Sequence, residues 1–297
     1  MEEIINFRNI HEYNVFNNNE TLHPLVSVVD LEKAHPRQLR RLRYDFYTIF
    51  LKKIHCGDLR YGLNHYDYEE GTLIFLAPGQ VIGEHKDEYY QPQGTALVFH
   101  PDLLSGTTLG KKMADYTFFS YAVNEALHLS EQERKIITDC FDKISYELRR
   151  GIDKHTKQLV LSNIELFLNY CDRFYDRQFI TRENVNTGLV ERFEALLNTY
   201  FASEKPHHIG LPTVAYFADE LHLSANYFGD LIKKETGKSA QEYIQGKIIA
   251  IAKDRIFDTD KNISEIAYEL GFKYPQHFTR LFKSRVGYTP NEFRNLN

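Results

Sequence analysis

At 297 residues, 42% of them hydrophobic and 14% aromatic, the chain is long and apolar enough for two domains with cores of their own. No run approaches the roughly 18 apolar residues of a membrane-crossing helix. The net charge of −5 is uneven: Lys205 to Asn297 holds 13 Lys+Arg against 11 Asp+Glu, a net of +2, which leaves −7 for the rest and excludes a uniformly basic surface.

The opening Met1-Glu2-Glu3-Ile4-Ile5-Asn6 lacks the basic-then-apolar order of a secretory signal. Cys56, Cys140 and Cys171 are isolated and odd in number, against a disulfide framework or a cysteine-based zinc site. Both observations lead to the expectation of a cytoplasmic protein with no membrane role. Up to residue 127 the pattern is strand-like. Short apolar runs, Leu25–Val29, Phe46–Leu51, Leu73–Leu76 and Ala96–Phe99, are separated by Gly, Pro, Asn and Asp, as in a small sandwich or barrel. Seven tyrosines (Tyr44, Tyr47, Tyr61, Tyr66, Tyr68, Tyr89 and Tyr90) suit either a pocket for a sugar or aromatic effector or the filling of a small β core, and no effector residue stands out. Metal chemistry needs closely spaced ligands, typically His-x-His with a Glu nearby. His55, His65, His85 and His100 are scattered, while His65, Asp67 and Glu69 alternate among tyrosines. Nucleophile elbows, phosphate loops and Cys-x-x-Cys are absent, so no metal, cofactor or catalytic residue is expected.

Near residue 130 the period changes. Ser130-Glu131-Gln132-Glu133 is a capping box, and Ile136, Ile137, Cys140, Phe141, Ile144 and Leu148 recur at three and four. A second helix is expected over 157–175, with Leu159, Val160, Ile164, Phe167 and Leu168 on its apolar side. This pair, residues 128–180, is either packing for the strand domain or a homodimer contact. The polar stretch Asp176–Gly188 ends in a linker over 181–188, and a helix over Leu189–Phe201 opens a domain at 189–297.

That last domain says one thing twice. Ala218-Asp219-Glu220-Leu221, Phe228-Gly229-Asp230-Leu231-Ile232-Lys233-Lys234, Gly237 and Ser239-Ala240-Gln241-Glu242-Tyr243 form the first copy. Ala267-Tyr268-Glu269-Leu270, Phe278-Thr279-Arg280-Leu281-Phe282-Lys283-Ser284, Gly287 and Thr289-Pro290-Asn291-Glu292-Phe293 form the second. Each reads as a short helix, a tight turn, an amphipathic helix, a glycine stop and a capped helix: two helix-turn-helix units, at 213–236 and 262–286. In the second, Phe278, Leu281 and Phe282 must face a core, which turns Gln276, Thr279, Arg280 and Lys283 outward. Gln and Arg suit base edges, Thr offers a methyl or hydroxyl, and Lys reaches phosphate. In the first, Asn226, Gly229, Asp230 and Lys233 face out, with Lys234 beside them, and Asp230 stands where the second copy has Arg280. Between the copies a capping box at Ser239–Glu242 opens a helix to about Phe257, with Ile244, Ile248, Ile251 and Ala252 on one stripe. At about 1.5 Å per residue it spans roughly 27 Å, a strut that sets the two units apart.

Ile263-Ser264-Glu265-Ile266-Ala267, Gly271-Phe272, Phe278-Thr279-Arg280-Leu281-Phe282-Lys283, Gly287, Thr289-Pro290 and Phe293-Arg294 resemble the AraC/XylS family of bacterial transcription regulators. The resemblance covers roughly residues 189–297. It implies a seven-helix DNA-binding domain on double-stranded promoter DNA, RNA polymerase as a partner, and an N-terminal cupin-like β domain for a small effector with a helical dimer contact. In the family's base-reading positions stand Asn226, Gly229 and Asp230, then Pro275, Gln276, Thr279 and Arg280. The expected fold class is α+β: a cupin-like β-barrel or sandwich over 1–127 with a helical hairpin, followed by an all-α tandem helix-turn-helix domain. The rival reading is a metal-dependent cupin enzyme with an appended DNA-binding module.

Overall fold

A computed structural model of the chain describes residues 4–52, 71–83, 87–122, 125–181, 183–257 and 260–295, with backbone alone at 180, 181 and 183–187. The chain divides into two compact units, Met1–Thr181 and Arg182–Asn297. The first runs β1 (Ile4–Phe7), α1 (Ile10–Phe16), β2 (Val26–Asp30), β3 (Arg37–Gln38), β4 (Arg41–Tyr44), β5 (Tyr47–Lys52), β6 (Thr72–Leu76), β7 (Val81–Ile82), β8 (Tyr89–Tyr90), β9 (Thr95–Phe99), α2 (Pro101–Leu104), α3 (Thr108–Lys112), β10 (Leu127–His128), α4 (Glu131–Arg149) and α5 (Thr156–Thr181). Its main sheet has the order β10-β6-β5-β9-β2, all antiparallel, beside a three-stranded sheet β1-β4-β7 and a ribbon β3-β8.

The four apolar runs are strands β2, β5, β6 and β9, and they read as unbroken runs because the sheet is covered on both faces. One face shares a core with the small sheet and α1, built from Phe7, Tyr13, Tyr44, Phe46, Phe50, Ile74 and Val98. On the other, Phe75 packs its ring 4.5 Å from Phe118 and within 6.4 Å of Phe119, Phe167 and Tyr175, so α5 is part of that core. The described strands form open sheets and no closed barrel, where the expectation was a barrel or sandwich. Helix α1 is also new to the sequence reading: Asn9 caps it, accepting from the Glu12 amide at 2.9 Å, in an Asn-rich stretch that looks like loop. His55, His65, Tyr61, Tyr66, Asp67, Tyr68, Glu69, His85 and Cys56 lie outside the described residues.

The capping box at Ser130 is formed, with both reciprocal bonds, and α4 buries Ile137, Cys140, Phe141, Ile144 and Leu148. On α5 Val160, Ile164, Phe167 and Leu168 are buried, but Leu159 is not: it stands on the outer face with Leu166. Residues 183–188, expected as linker, are helical and open α6. Polarity there marked the join between units, not an absence of helix.

The second unit runs α6 (Glu183–Ala202), α7 (Lys205–Ile209), α8 (Val214–Glu220), α9 (Ala225–Thr236), α10 (Ala240–Ile256), α11 (Ile263–Glu269), α12 (Pro275–Val286) and α13 (Pro290–Arg294). Apart from the one-turn α7, these are the seven helices expected. Phe193 of α6 anchors the first half, its ring within 5.4 Å of Phe217, Phe228 and Tyr243. In the second half Phe272, Phe278, Phe282 and Phe293 form a chain of ring contacts of 5.4–5.7 Å. Each fully buried Phe contributes about 1.5–3 kcal/mol.

Candidate nucleic-acid interface

The first helix-turn-helix is α8, a four-residue turn (Leu221–Ser224) and α9. Thr213 caps α8, and Ser224 caps α9 by accepting from the Tyr227 amide at 3.2 Å. His222 makes the turn at φ +59°, a conformation usually left to glycine. Helix α9 buries Tyr227, Phe228, Leu231 and Ile232 and stops at Gly237 in the left-handed region. With that side buried, Asn226, Lys233 and Lys234 are exposed, and Gly229 and Asp230 are half-buried between them.

The second helix-turn-helix is α11, its turn and α12. Asn262 and Glu265 form a reciprocal capping box, Ile266 and Ala267 are buried, and Gly271 takes the turn at φ +92°. Pro275 opens α12 in the first helical position. Phe278 and Phe282 are fully buried and Leu281 half-buried, which leaves Gln276, Arg280 and Lys283 exposed. The side chains of these three make no hydrogen bond to another described residue. Thr279 is half-buried, and its hydroxyl donates to the Pro275 carbonyl at 3.2 Å. The hydroxyl proton is thereby used within the helix.

Several side chains that hold the two helix-turn-helix motifs together within the second unit carried no sequence signal. The 17 residues of α10 span about 26 Å. Arg255 of α10 and Lys261 both pair with Glu269 of α11, at 3.3 and 2.6 Å. Arg285 of α12 donates to Gln245 of α10 at 2.7 Å. Arg294 caps the far end of the strut, donating to the Ile256 and Lys261 carbonyls at 2.6 and 2.9 Å. Gly271 lies against Gly210, so close that a Cβ on it would sit 2.7 Å from the Gly210 carbonyl carbon and oxygen. Tyr200 donates to that same carbonyl at 2.8 Å. Of the basic residues after Leu270, Arg285 and Arg294 are tied to other elements by hydrogen bonds, Arg285 from an exposed position, while Lys273, Arg280 and Lys283 are exposed.

Elsewhere chemistry is sparse. Among the described residues no group of three His, Cys, Asp or Glu is placed to hold a metal ion, and no helix is long and apolar enough to cross a membrane. His100 caps α2 by accepting from the Asp102 amide at 3.2 Å. Cys140 and Cys171 are buried free thiols, and burial raises both above the usual cysteine range.

A family model described as a helix-turn-helix domain matches residues 217–296. The chain is 31% identical over 138 residues to the uncharacterized HTH-type transcriptional regulator YfiF of Bacillus subtilis (strain 168), covering 46% of this chain and 40% of that one. It is 29% identical over 115 residues to the HTH-type transcriptional activator RhaS of Enterobacter sp. (strain 638), covering 39% and 41%. It is 37% identical over 82 residues to the uncharacterized HTH-type transcriptional regulator YtdP of Bacillus subtilis (strain 168), covering 28% and 11%. In each case the match spans less than half of the relative's own length. Among solved structures, the C-terminal domain of AraT, a response regulator from Geobacillus stearothermophilus, aligns at 25% identity and a TM-score of 0.33, over 37% of this chain and 85% of that one.

Proposed function

We propose that this chain, which belongs to the AraC/XylS family of helix-turn-helix regulators, is a sequence-specific DNA-binding transcription regulator whose first unit answers to a small molecule. The observation that carries this reading is the pair of solvent-facing rows, Asn226 with Lys233 and Gln276 with Arg280 and Lys283. Each stands on a helix whose opposite side is buried, and one strut joins the two. Helices of this kind lie in the major groove, and two such units of one protein read one face of a duplex about 34 Å apart. Gln276 and Arg280 pair with base edges, the Thr279 methyl touches an apolar base edge such as the thymine methyl, and Lys233, Lys234 and Lys283 neutralise phosphates. Asp230 beside Asn226 suits a cytosine amine better than a guanine edge, so the two units read different half-sites. RNA polymerase is the family-implied partner on promoter DNA, and the setting is the cytoplasm. Titration of a duplex selected from a random library tests the reading. Arg280→Ala and Gln276→Ala weaken binding with the fold intact, and unchanged affinity at fixed salt for both would remove the assigned face.

The first unit acts as the regulatory domain in place of a catalytic one, and its two-sheet core supports a cupin-like effector role. The rival metal-enzyme reading predicts stoichiometric iron, manganese or zinc in purified protein, where a regulator of this kind carries none. The outer face of the α4–α5 hairpin supports a homodimer contact, since Tyr146, Leu159 and Leu166 are 59%, 43% and 41% exposed there. A strictly monomeric sedimentation profile at micromolar protein removes the dimer.

A further inference from the structure

Helix α9 carries a glycine that its own fold does not require. Gly229 lies in the middle of the 12-residue helix, between the cap at Ser224 and the stop at Gly237. Gly237, Gly271 and Gly287 sit at φ +70° to +92°, a region suited to glycine, whereas Gly229 has ordinary helical backbone. A Cβ built on Gly229 meets nothing within 4 Å, so no neighbour excludes a side chain there. A glycine inside a helix is destabilising relative to alanine, because it loses more backbone freedom on folding. Neither backbone nor packing accounts for it.

Its place on the helix does. Phe228, Leu231 and Ile232 are buried, and Gly229 belongs to the outward row with Asn226, Asp230 and Lys233. Counted from the buried Phe228 and Phe278, Thr279 stands where Gly229 does, and Arg280 where Asp230 does. The two rows therefore differ in height. Helix α12 presents a threonine and a long, exposed arginine; α9 presents bare backbone and a short carboxylate. Asn226 and Asp230 reach a base edge only from a helix that lies closer to the groove floor than one reading with Arg280. Bare backbone at the centre of the row allows that approach, a common use of glycine against a ligand.

We propose that Gly229 is a specificity-determining residue: α9 seats its backbone at Gly229 against the bases of the first half-site, deeper in the groove than α12 lies. The proposal rests on the reading of both outward rows as DNA-facing. Inside a helix the amide and carbonyl of Gly229 are bonded along the helix axis, so the patch offers apolar contact alone. The apolar feature of the major groove is the thymine methyl, and a thymine lies under Gly229.

The test uses the full chain and a duplex selected from a random library, with anisotropy titration at fixed salt and urea denaturation side by side. Gly229→Ala raises the urea midpoint and weakens the selected duplex about tenfold, because the added methyl overfills a close contact. A purely structural glycine does not move stability and affinity in opposite directions. Thymines of the α9 half-site, the one still footprinted by Arg280→Ala, are then replaced by deoxyuridine, which lacks the methyl. The unchanged chain binds that duplex more weakly, and Gly229→Ala regains most of its tenfold loss on it. Gly246 of α10 is equally open but stands outside both rows, in a groove with Glu194 and Tyr243. Gly246→Ala therefore raises the midpoint and leaves DNA affinity unchanged. Three results overturn the proposal: full affinity in Gly229→Ala, a lowered midpoint in that variant, or no recovery on the deoxyuridine duplex. A chain that selects a duplex and is weakened by Arg280→Ala, yet tolerates Gly229→Ala, loses the close seat alone. A chain that selects no duplex loses the regulator reading and this proposal together.

Discussion

Three basic residues of the second recognition helix separate base reading, phosphate contact and internal support. Arg280 is exposed and stands in the middle of the outward row, the position that the proposed reading gives to a guanine contact. A well-made Arg–guanine pair is worth about 1–3 kcal/mol, so Arg280→Ala weakens the cognate duplex roughly 5- to 150-fold. A scrambled duplex, which never offered that guanine in register, loses far less. Lys283 is exposed one turn further on, and Lys283→Ala weakens cognate and scrambled DNA alike. It also flattens the plot of log affinity against log salt by about 0.9, the release of one counterion. Arg285 holds Gln245 of the strut at 2.7 Å, and its removal leaves the salt slope unchanged. The assay is fluorescence anisotropy with both duplexes between 50 and 200 mM salt. The assignment is refuted if Arg280→Ala costs the scrambled duplex as much as the cognate one, or if Arg285→Ala changes the slope as Lys283→Ala does.

Gly271→Ala forces a Cβ to 2.7 Å from the Gly210 carbonyl at φ +92°, and destabilises the second unit by roughly 2–4 kcal/mol in urea denaturation followed by circular dichroism. Gly246→Ala on α10 meets nothing within 4 Å and raises stability by about 0.5–1 kcal/mol, so equal losses at the two glycines would contradict the packing described. The Glu292 carboxyl is held below its ordinary value of 4.5 by the Thr289 amide and then its hydroxyl, and Glu242 likewise by the Ser239 hydroxyl and then its amide. Because the folded values are depressed, the caps stabilise above the ordinary carboxylate range and lose that effect as pH falls through the folded value. Glu292→Gln therefore lowers the urea midpoint at pH 7, and the gap narrows as pH falls below the ordinary carboxylate value; a gap that stays constant on acidification is the contrary result. Leu166→Asp, on the outer face of α5, leaves the fold intact and shifts sedimentation toward monomer; an unchanged profile removes that face from the contact.

How much of this was legible in the sequence differs between the units. In the second, caps, glycine stops and buried stripes repeat at fixed spacing and each is a local signal. Ser239 with Glu242, Gly237, Gly287 and the inward Phe residues stand where their spacing puts them. What spacing does not reveal are pairings across elements: Arg294 on the Ile256 carbonyl, Arg285 on Gln245, Gly271 against Gly210. These depend on chain-distant neighbours, and an arginine written next to a recognition helix looks the same whether it faces DNA or a carbonyl. His222 shows the opposite limit, since a non-glycine at positive φ hides the turn that Gly271 announces in the second copy. In the first unit the apolar runs located the strands, but not the partner of each: β5 lies between β6 and β9, and β2 closes the far edge. Leu159 fell on the wrong side because a run of apolar residues on α5 leaves the phase of the stripe undetermined until Phe167 and Cys171 fix it.

Hydroxyl-radical footprinting on a duplex selected from a random library measures the arrangement of the two reading helices most directly. Two helices held by one 17-residue strut protect two patches on a single face of the duplex, about 34 Å or one helical turn apart, and Arg280→Ala erases the patch belonging to α12 while the other persists. A single patch, two patches on opposite faces, or a footprint indifferent to Arg280 would contradict it.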